Sequence, residues 1–398
     1  MKQFKVRDLI DAGSLEINDG YRAKNEELGR PGLPFARAAN IDGDLTLDSE
    51  AGDCLAQENV PRVGAKLSRP ADVVLTTKGS VGRVAFVRPS HPPFVYSPQL
   101  SFWRVIDRSI VSPRYLYFWM RGKEARDQLV SLKGQTDMAD YVSLIDQRNM
   151  NLSLPSIDRQ EAVAAVLGAL DDKIEVNREL GACSSQIAGS LGQRVRESAT
   201  SVAQLGDVAE INARTLSVLD PTDPIAYVDI SSVKVGKLLA SQTMSRRAAP
   251  GRARRLVAHE DILWSMVRPN LRSFLFVLNP PPNMVVSTGF AVVTARRVPA
   301  SYLFVHLTSN AFVKFLTALA DGSAYPAVPV ERFGEAKIPL PDEATLLDFA
   351  ARVQPIFDLV ASLDSQSRKL AEVRDLLLPK LISGEIRPND AGLTVTAM

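Results

Sequence analysis

Cysteine and histidine are scarce in this chain, and that scarcity removes whole classes of chemistry. Two cysteines, Cys54 and Cys183, lie far apart in 398 residues. They are expected as two buried thiols rather than a disulfide or a metal site. The three histidines, His91, His259 and His306, share no metal-ligand spacing. Long apolar runs are missing too: no stretch approaches 18 such residues, and the opening MKQFKVRDLIDAG has no apolar signal core. A soluble, cytoplasmic protein is therefore expected. The chain has no G-x-x-x-x-G-K-[ST] phosphate loop and no Gly-rich strand–helix turn for a nucleotide cofactor. Its scattered Asp and Glu form no nuclease-like cluster and read as solvated surface.

What is present is size, apolar content and a pattern of charge. At 398 residues and 45% hydrophobic, the chain suggests two or three domains with ample core. The net charge of +2 is divided unevenly. Residues 1–156 carry 21 Lys+Arg against 19 Asp+Glu, residues 157–197 carry 5 against 7, residues 198–341 carry 15 against 10, and residues 342–398 carry 6 against 9. Two basic blocks thus alternate with two acidic ones. Basic surface suits a polyanion such as nucleic acid.

The alternation exposes a repeat. DVVLTTKGSVGRVAFVRP (72–89) resembles DILWSMVRPNLRSFLFVLNP (261–280), and FVYSPQLSFWRV (94–105) matches MVVSTGFAVVTA (284–295) in pattern. RYLYFWM (114–120) matches SYLFVHL (301–307), and the stretch 132–155 matches 320–341. The offset stays between 186 and 189 residues. Within each copy, ADVVLTTKG with RVAFVR, and EDILWSMV with SFLFVLN, read as hairpins. Residues 113–132 and 300–320 read as helices, so each copy is a mixed α+β domain.

The acidic blocks carry a different period. In residues 342–398, Leu346, Val353, Val360 and Ser367 form one heptad row, and Phe349, Ile356, Leu363, Leu370 and Leu377 the other. In residues 157–197, Val163, Leu170, Asn177, Ser184 and Leu191 form one row, and Val166, Leu180 and Ile187 the companion. Asn177 and Ser184 are polar intrusions of the kind that fixes register. Gly181, Gly189 and Gly192 weaken the first helix, and Pro355 is expected to kink the second. Two amphipathic helices, each packed on its own domain, would also fit. The preferred pattern is an antiparallel pair, with Val163, Leu170, Asn177 and Leu180 facing Val353, Val360, Leu363 and Leu370.

With these stretches in view, the chain resembles the specificity (S) subunit of Type I restriction-modification systems over nearly all its length. The carrying residues are LSLPSIDRQEAVAAVLGALDDKIEVNREL (152–180), LLLPKLISGEIRP (376–388), LGDVAEI (205–211) and the repeated hairpins. In one departure, PDEATLLDF (341–349) lacks the Gln that Gln160 supplies in the first helix. The resemblance implies a fold of two tandem pseudo-symmetric target-recognition domains, residues 1–156 and 198–341. They are separated by two long antiparallel coiled-coil helices in 157–197 and 342–398. It implies that each domain reads one half of a bipartite double-stranded DNA target, and that the helices set the gap between the halves. It also implies that the helices dock methyltransferase (M) subunits, two per chain, and that a restriction motor-nuclease (R) subunit joins them. The chain itself would carry no cofactor. S-adenosylmethionine would belong to the methyltransferase, and ATP and Mg to the motor-nuclease.

Residue chemistry nominates the DNA contacts. In the first domain these are Lys78, Ser80 and Arg83 beside turn glycines, with Gln135 in the loop 134–141. In the second they are Arg268, Asn270 and Arg272, with Tyr325 in the loop 322–326. Arg and Asn are the types that recognise guanine and adenine bidentately. SRRAAPGRARR (245–255) supplies Arg246, Arg247, Arg252, Arg254 and Arg255 and reads as a phosphate-contacting loop. A solvated hairpin tip and a solubilising loop are the plainer alternatives for these stretches.

Two other functions stay open on the residues alone: a methyltransferase-like enzyme, and a coiled-coil scaffold that binds no DNA. NPPPN (279–283) echoes the Asn-Pro-Pro-aromatic motif of amino-methyltransferases, but Pro282 stands where the base-stacking aromatic belongs.

Overall fold

The alternating apolar residues of Val73–Thr76 and Val84–Phe86 do pair as an antiparallel hairpin, with Val73 opposite Phe86 and Leu75 opposite Val84. Ile262–Ser265 and Phe274–Phe276 form the matching hairpin, with Ile262 opposite Phe276. The computed structural model describes residues 1–41, 52–132, 140–217, 223–320 and 326–388. They divide into two compact units, one of residues 1–174 and 369–398, the other of residues 175–368.

The two units have the same plan. In the first, the antiparallel sheet runs Leu15–Asp19, Leu100–Val105, Val73–Thr76, Val84–Phe86. In the second it runs Ala209–Ile211, Phe290–Ala295, Ile262–Ser265, Phe274–Phe276. A second sheet follows in each, three-stranded in the first unit and four-stranded in the second, built on a parallel pair: Phe35 beside Val95, and Ala226 beside Met284. A two-stranded ladder closes each unit. Lys2–Lys5 pairs with Asn151–Leu154, and Ser201–Gln204 with Lys337–Leu340. Parallel pairing needs long connections, which is why period-two patterning alone did not reveal these second sheets.

Two short helices cover each large sheet, Pro113–Arg121 and Lys123–Leu132 in one unit, Ala300–Leu307 and Asn310–Leu319 in the other. Trp103, Trp119, Tyr115 and Phe118 are fully enclosed in the first core, and Trp264, Tyr302, Phe290 and Phe333 in the second unit. Each large side chain of this kind removes about 150–250 Å² from water.

A buried carboxylate recurs at the same place. Asp72 accepts from Arg104 Nε and Nη2, both at 2.7 Å, and from the Tyr96 hydroxyl at 2.8 Å. Burial opposes the Arg104 charge, but Asp72 outweighs it and holds the guanidinium above its ordinary range. In the second unit Asp261 accepts from Arg214 and, at 2.7 Å, from the Thr294 hydroxyl.

The central helix, Ile157–Glu197, and the C-terminal helix, Glu343–Ser383, are each 41 residues long. The C-terminal helix continues through Pro355. In the first unit, Val163, Leu167 and Leu170 share a core with Leu377, Leu378 and Leu381. Asp171 accepts from Arg374 at 2.7 Å, and the Arg159 guanidinium lies against Gly384. In the second unit, Asn177 donates to the Ser367 hydroxyl at 3.3 Å. Ala188 shares a core there with Leu346, Phe349 and Val353. Within each unit the helices therefore run antiparallel.

The rows differ from expectation in one respect. Leu346, Val353, Phe349, Leu363 and Leu377 are buried, while Val360 and Leu370 are half-buried, as the C-terminal rows require. On the central helix the first row is inward, but the companion row is Leu167, Ile174, Gly181, Ala188 and Val195. Leu180 and Ile187 point outward, 45% and 51% exposed. Both frames contain apolar residues, and the inward one includes Gly181 and Ala188, whose small size hid it. Cys183 falls on the same outward face and is exposed, unlike buried Cys54. The expectation of two buried thiols therefore holds for only one of them.

Candidate nucleic-acid interface

Each unit ties its hairpin loop to a second loop through the same backbone hydrogen bonds. In the first unit, Gly79 N–H donates to the Asp140 carbonyl and Val142 N–H to the Thr77 carbonyl, both at 3.0 Å. In the second, Arg268 N–H donates to the Pro326 carbonyl at 2.7 Å and Val328 N–H to the Met266 carbonyl at 2.9 Å. Isolated bridges join Lys78 with Tyr141 and Val267 with Ala327. The hairpin tips nominated from sequence are thus tied to Asp140–Tyr141 and to Pro326, the described ends of the other two nominated loops. Gln135 and Tyr325 themselves lie outside the described residues.

The loops differ in how they turn. The first uses glycine at its left-handed positions, Gly79 with φ 78° and Gly82 with φ 99°. The second places arginine there, Arg268 with φ 50° and Arg272 with φ 56°. Gly79 and Arg268 make equivalent hydrogen bonds, so the comparison is direct. A non-glycine residue in this region costs about 1–3 kcal/mol and recurs at functional sites. Arginine thus stands in the left-handed region where the sister loop has glycine.

The nominated side chains are accessible in part. Lys78, Ser80 and Arg83 are exposed. The Ser80 carbonyl accepts from the buried Thr76 hydroxyl, which stiffens the tip. Arg83 Nη1 donates to the Ile41 carbonyl at 3.1 Å. Arg268 and Asn270 are exposed. Arg272 is half-buried, and its Nη2 donates to Asn310 Oδ1 at 2.8 Å. Sequence reading missed Asn310. The only available sign was Ser309 before it, a residue type that opens helices.

The arginine-rich stretch needs correction. It is not one loop, because Ala253–Leu256 is a strand paired with Met284–Ser287 and bulged between Ala253 and Arg255. Arg252 donates to the Tyr227 hydroxyl at 3.0 Å and to Asp229 at 2.8 Å. Those partners raise its pKa. Arg246 binds the Ser217 carbonyl. Arg247 and Arg254 are exposed, with Arg254 Nε on the Gly251 carbonyl at 3.1 Å. Arg255 is half-buried, and burial lowers its pKa. Only Arg254 and Arg255 of the five lie in this strand, Arg246 and Arg247 belong to the separate turn Arg246–Ala248, and Arg252 precedes the strand.

Among the described residues no group of three or more His, Cys, Asp or Glu could hold a metal ion. No helix among them is long and apolar enough to cross a membrane. Gln160, present only in the central helix, is buried and accepts from Ser112 N–H at 2.9 Å. Its amide also donates to the Ile110 and Pro155 carbonyls, both at 3.0 Å.

No protein-family model matches the chain. It is 20% identical to the Type I restriction enzyme MjaIX specificity subunit of Methanocaldococcus jannaschii, over 97% of this chain and 94% of that one. It is 25% identical over 177 residues to the Type I restriction enzyme HindI specificity subunit of Haemophilus influenzae, covering 44% and 37% of the two chains. The crystal structure of a Type I restriction-modification system S subunit from M. genitalium matches with a TM-score of 0.54 and 14% identity, covering 96% of this chain and 95% of that one. At that identity the likeness is one of fold. The family resemblance and the α+β class drawn from the sequence are both borne out by these relatives.

Proposed function

We propose that this chain is the DNA-specificity subunit of a Type I restriction-modification complex, a recognition subunit without catalytic activity of its own. The observation that carries the reading is the duplicated loop base, Gly79 to Asp140 and Arg268 to Pro326, in a chain similar to specificity subunits along its length. Two units of one plan, presenting different side chains from equivalent loops, suit a target in two different halves. Lys78, Ser80 and Arg83 serve one half, and Arg268, Asn270 and Arg272 the other. Phosphate contacts supply affinity, and groups reaching base edges supply discrimination.

The assembly follows from the outward face of the central helix. Val176, Leu180 and Ile187 are each about half exposed, with Cys183 among them. Their spacing of four, three and four residues places them on one stripe. Exposed apolar stripes of this kind mark protein contacts, which supports docking of a methyltransferase subunit here; the proposal places two such subunits on each chain, one for each half of the target. Those subunits would bring S-adenosylmethionine, and a motor-nuclease subunit would bring ATP and Mg, all within the cytoplasm. Domain limits at 1–156, 157–197, 198–341 and 342–398 keep the two readers apart from the helices that join them.

The test is to sequence methylated sites in cells carrying this chain with its methyltransferase. A bipartite motif with a constant unread gap is expected. A continuous motif, or none that depends on this chain, would overturn the proposal.

A further inference from the structure

We infer that Asn310 aims Arg272, making this pair the reader of one base pair in the half-site served by the second unit. The inference rests on the function proposed above. Arg272 is held at both ends. Its backbone is left-handed, with its N–H on the Pro269 carbonyl at 3.0 Å and its carbonyl taken by Phe274 N–H at 3.1 Å. Its guanidinium Nη2 donates to Asn310 Oδ1 at 2.8 Å.

The acceptor stands on a rigid element. Asn310 opens the helix Asn310–Leu319, and the preceding Ser309 hydroxyl accepts from Phe312 N–H at 3.3 Å. Phe312, Val313 and Leu316 bury that helix in the core. The side chain therefore spans from a strained loop to a packed helix. A cation that only neutralises phosphate needs no fixed plane, whereas a bidentate base contact needs the fork held flat and aimed. One Nη2 hydrogen goes to Asn310, and among the described residues no other acceptor takes the remaining donors of the fork, which suit a base edge.

The arrangement belongs to the second unit. The matching helix of the first unit, Lys123–Leu132, begins with Lys123, which pairs with Asp127 instead. Arg83 on the matching hairpin donates to the Ile41 carbonyl. The two units thus differ where a bipartite reader must differ.

The experiment selects bound duplexes from a pool with randomised base pairs, using the full chain co-expressed with its methyltransferase, at two salt concentrations. Asn310→Ala is expected to relax preference at one base pair by about tenfold. It should leave the other half-site and the salt dependence as they are. Arg272→Ala should relax the same base pair, and the double variant should be no worse than Arg272→Ala. Asn310→Asp keeps the acceptor and should restore the preference, even if its charge weakens binding overall. Relaxation by Arg272→Ala but not by Asn310→Ala would overturn this inference alone. So would a uniform loss at every position in Asn310→Ala, which marks a structural role. No change with Arg272→Ala would overturn both the inference and the assignment of this loop to DNA.

Discussion

At the scale of single residues, the buried charges decide more than the exposed ones. Asp72 is 1% exposed and shares a pocket with Arg104. Removing one partner of such a pair leaves the other uncompensated, at a cost of about 3–5 kcal/mol. Arg104→Met should therefore destabilise the chain by that order, and thermal unfolding followed by circular dichroism would show it. A double Asp72→Leu, Arg104→Met variant should recover much of the loss.

His306 tests the same physics through pH. It is buried, and desolvation together with the nearby Arg196 charge lowers its pKa to about 4. The unfolded chain takes up a proton near pH 6.5 while the folded one stays neutral. Stability is thus whole above about pH 6.5 and falls toward pH 4, by about 3 kcal/mol at the limit. In His306→Phe the unfolding midpoint should lose that share of its pH dependence. An unchanged slope would show that His306 is not the titrating group.

The left-handed arginines give a third test. Arg268→Gly removes backbone strain but adds freedom to the unfolded chain, so stability should stay within about 1 kcal/mol of the parent. Binding at the second half-site should still weaken. The hairpins that hold these residues were legible in the sequence. The strain was not, because φ follows from how Pro326 and Ala327 tie the loop down.

At the scale of elements, the central helix contrasts three glycines. A Cβ on Gly181 or Gly189 would meet nothing within 4 Å, whereas one on Gly192 would lie 2.3 Å from Val305 Cγ1. Glycine in a helix interior costs about 0.8–1 kcal/mol relative to alanine. Gly181→Ala and Gly189→Ala should each gain up to that amount, measured by urea unfolding. Gly192→Ala should lose stability, because Val305 is β-branched and buried and has little room to move. The sequence marked all three as weak points of the helix. Only packing separates the one required for close approach from the two that are not.

The same separation explains the heptads. The rows of the C-terminal helix were legible because Leu, Val, Ile and Phe occupy them. The companion row of the central helix was displaced by one residue because Leu180 and Ile187 are larger than Gly181 and Ala188. Hydrophobicity signals burial of any kind, and it does not distinguish a helix seam from an exposed outward stripe.

At the scale of the whole molecule, the proposal makes the helices a ruler. Four residues added to each helix, after Glu179 and after Asp364, add about 6 Å and slightly more than one turn. Duplex DNA rises about 3.4 Å per base pair, so the gap should grow by one or two base pairs while both half-site sequences stay the same. Methylation-site sequencing reads this directly. An unchanged gap with intact methylation would remove the ruler from the proposed function.

The repeat, the α+β class, the two long helices and the family resemblance were legible in the sequence itself. They rest on local periodicity and on order along the chain, and both survive without three-dimensional contact. The second sheets with their parallel pairs, the inward row of the central helix and the grip of Asn310 on Arg272 were decided by tertiary structure. Each joins residues through packing or hydrogen bonds between elements distant along the chain: 38 positions separate Arg272 from Asn310, and no local pattern encodes which distant group a side chain will meet.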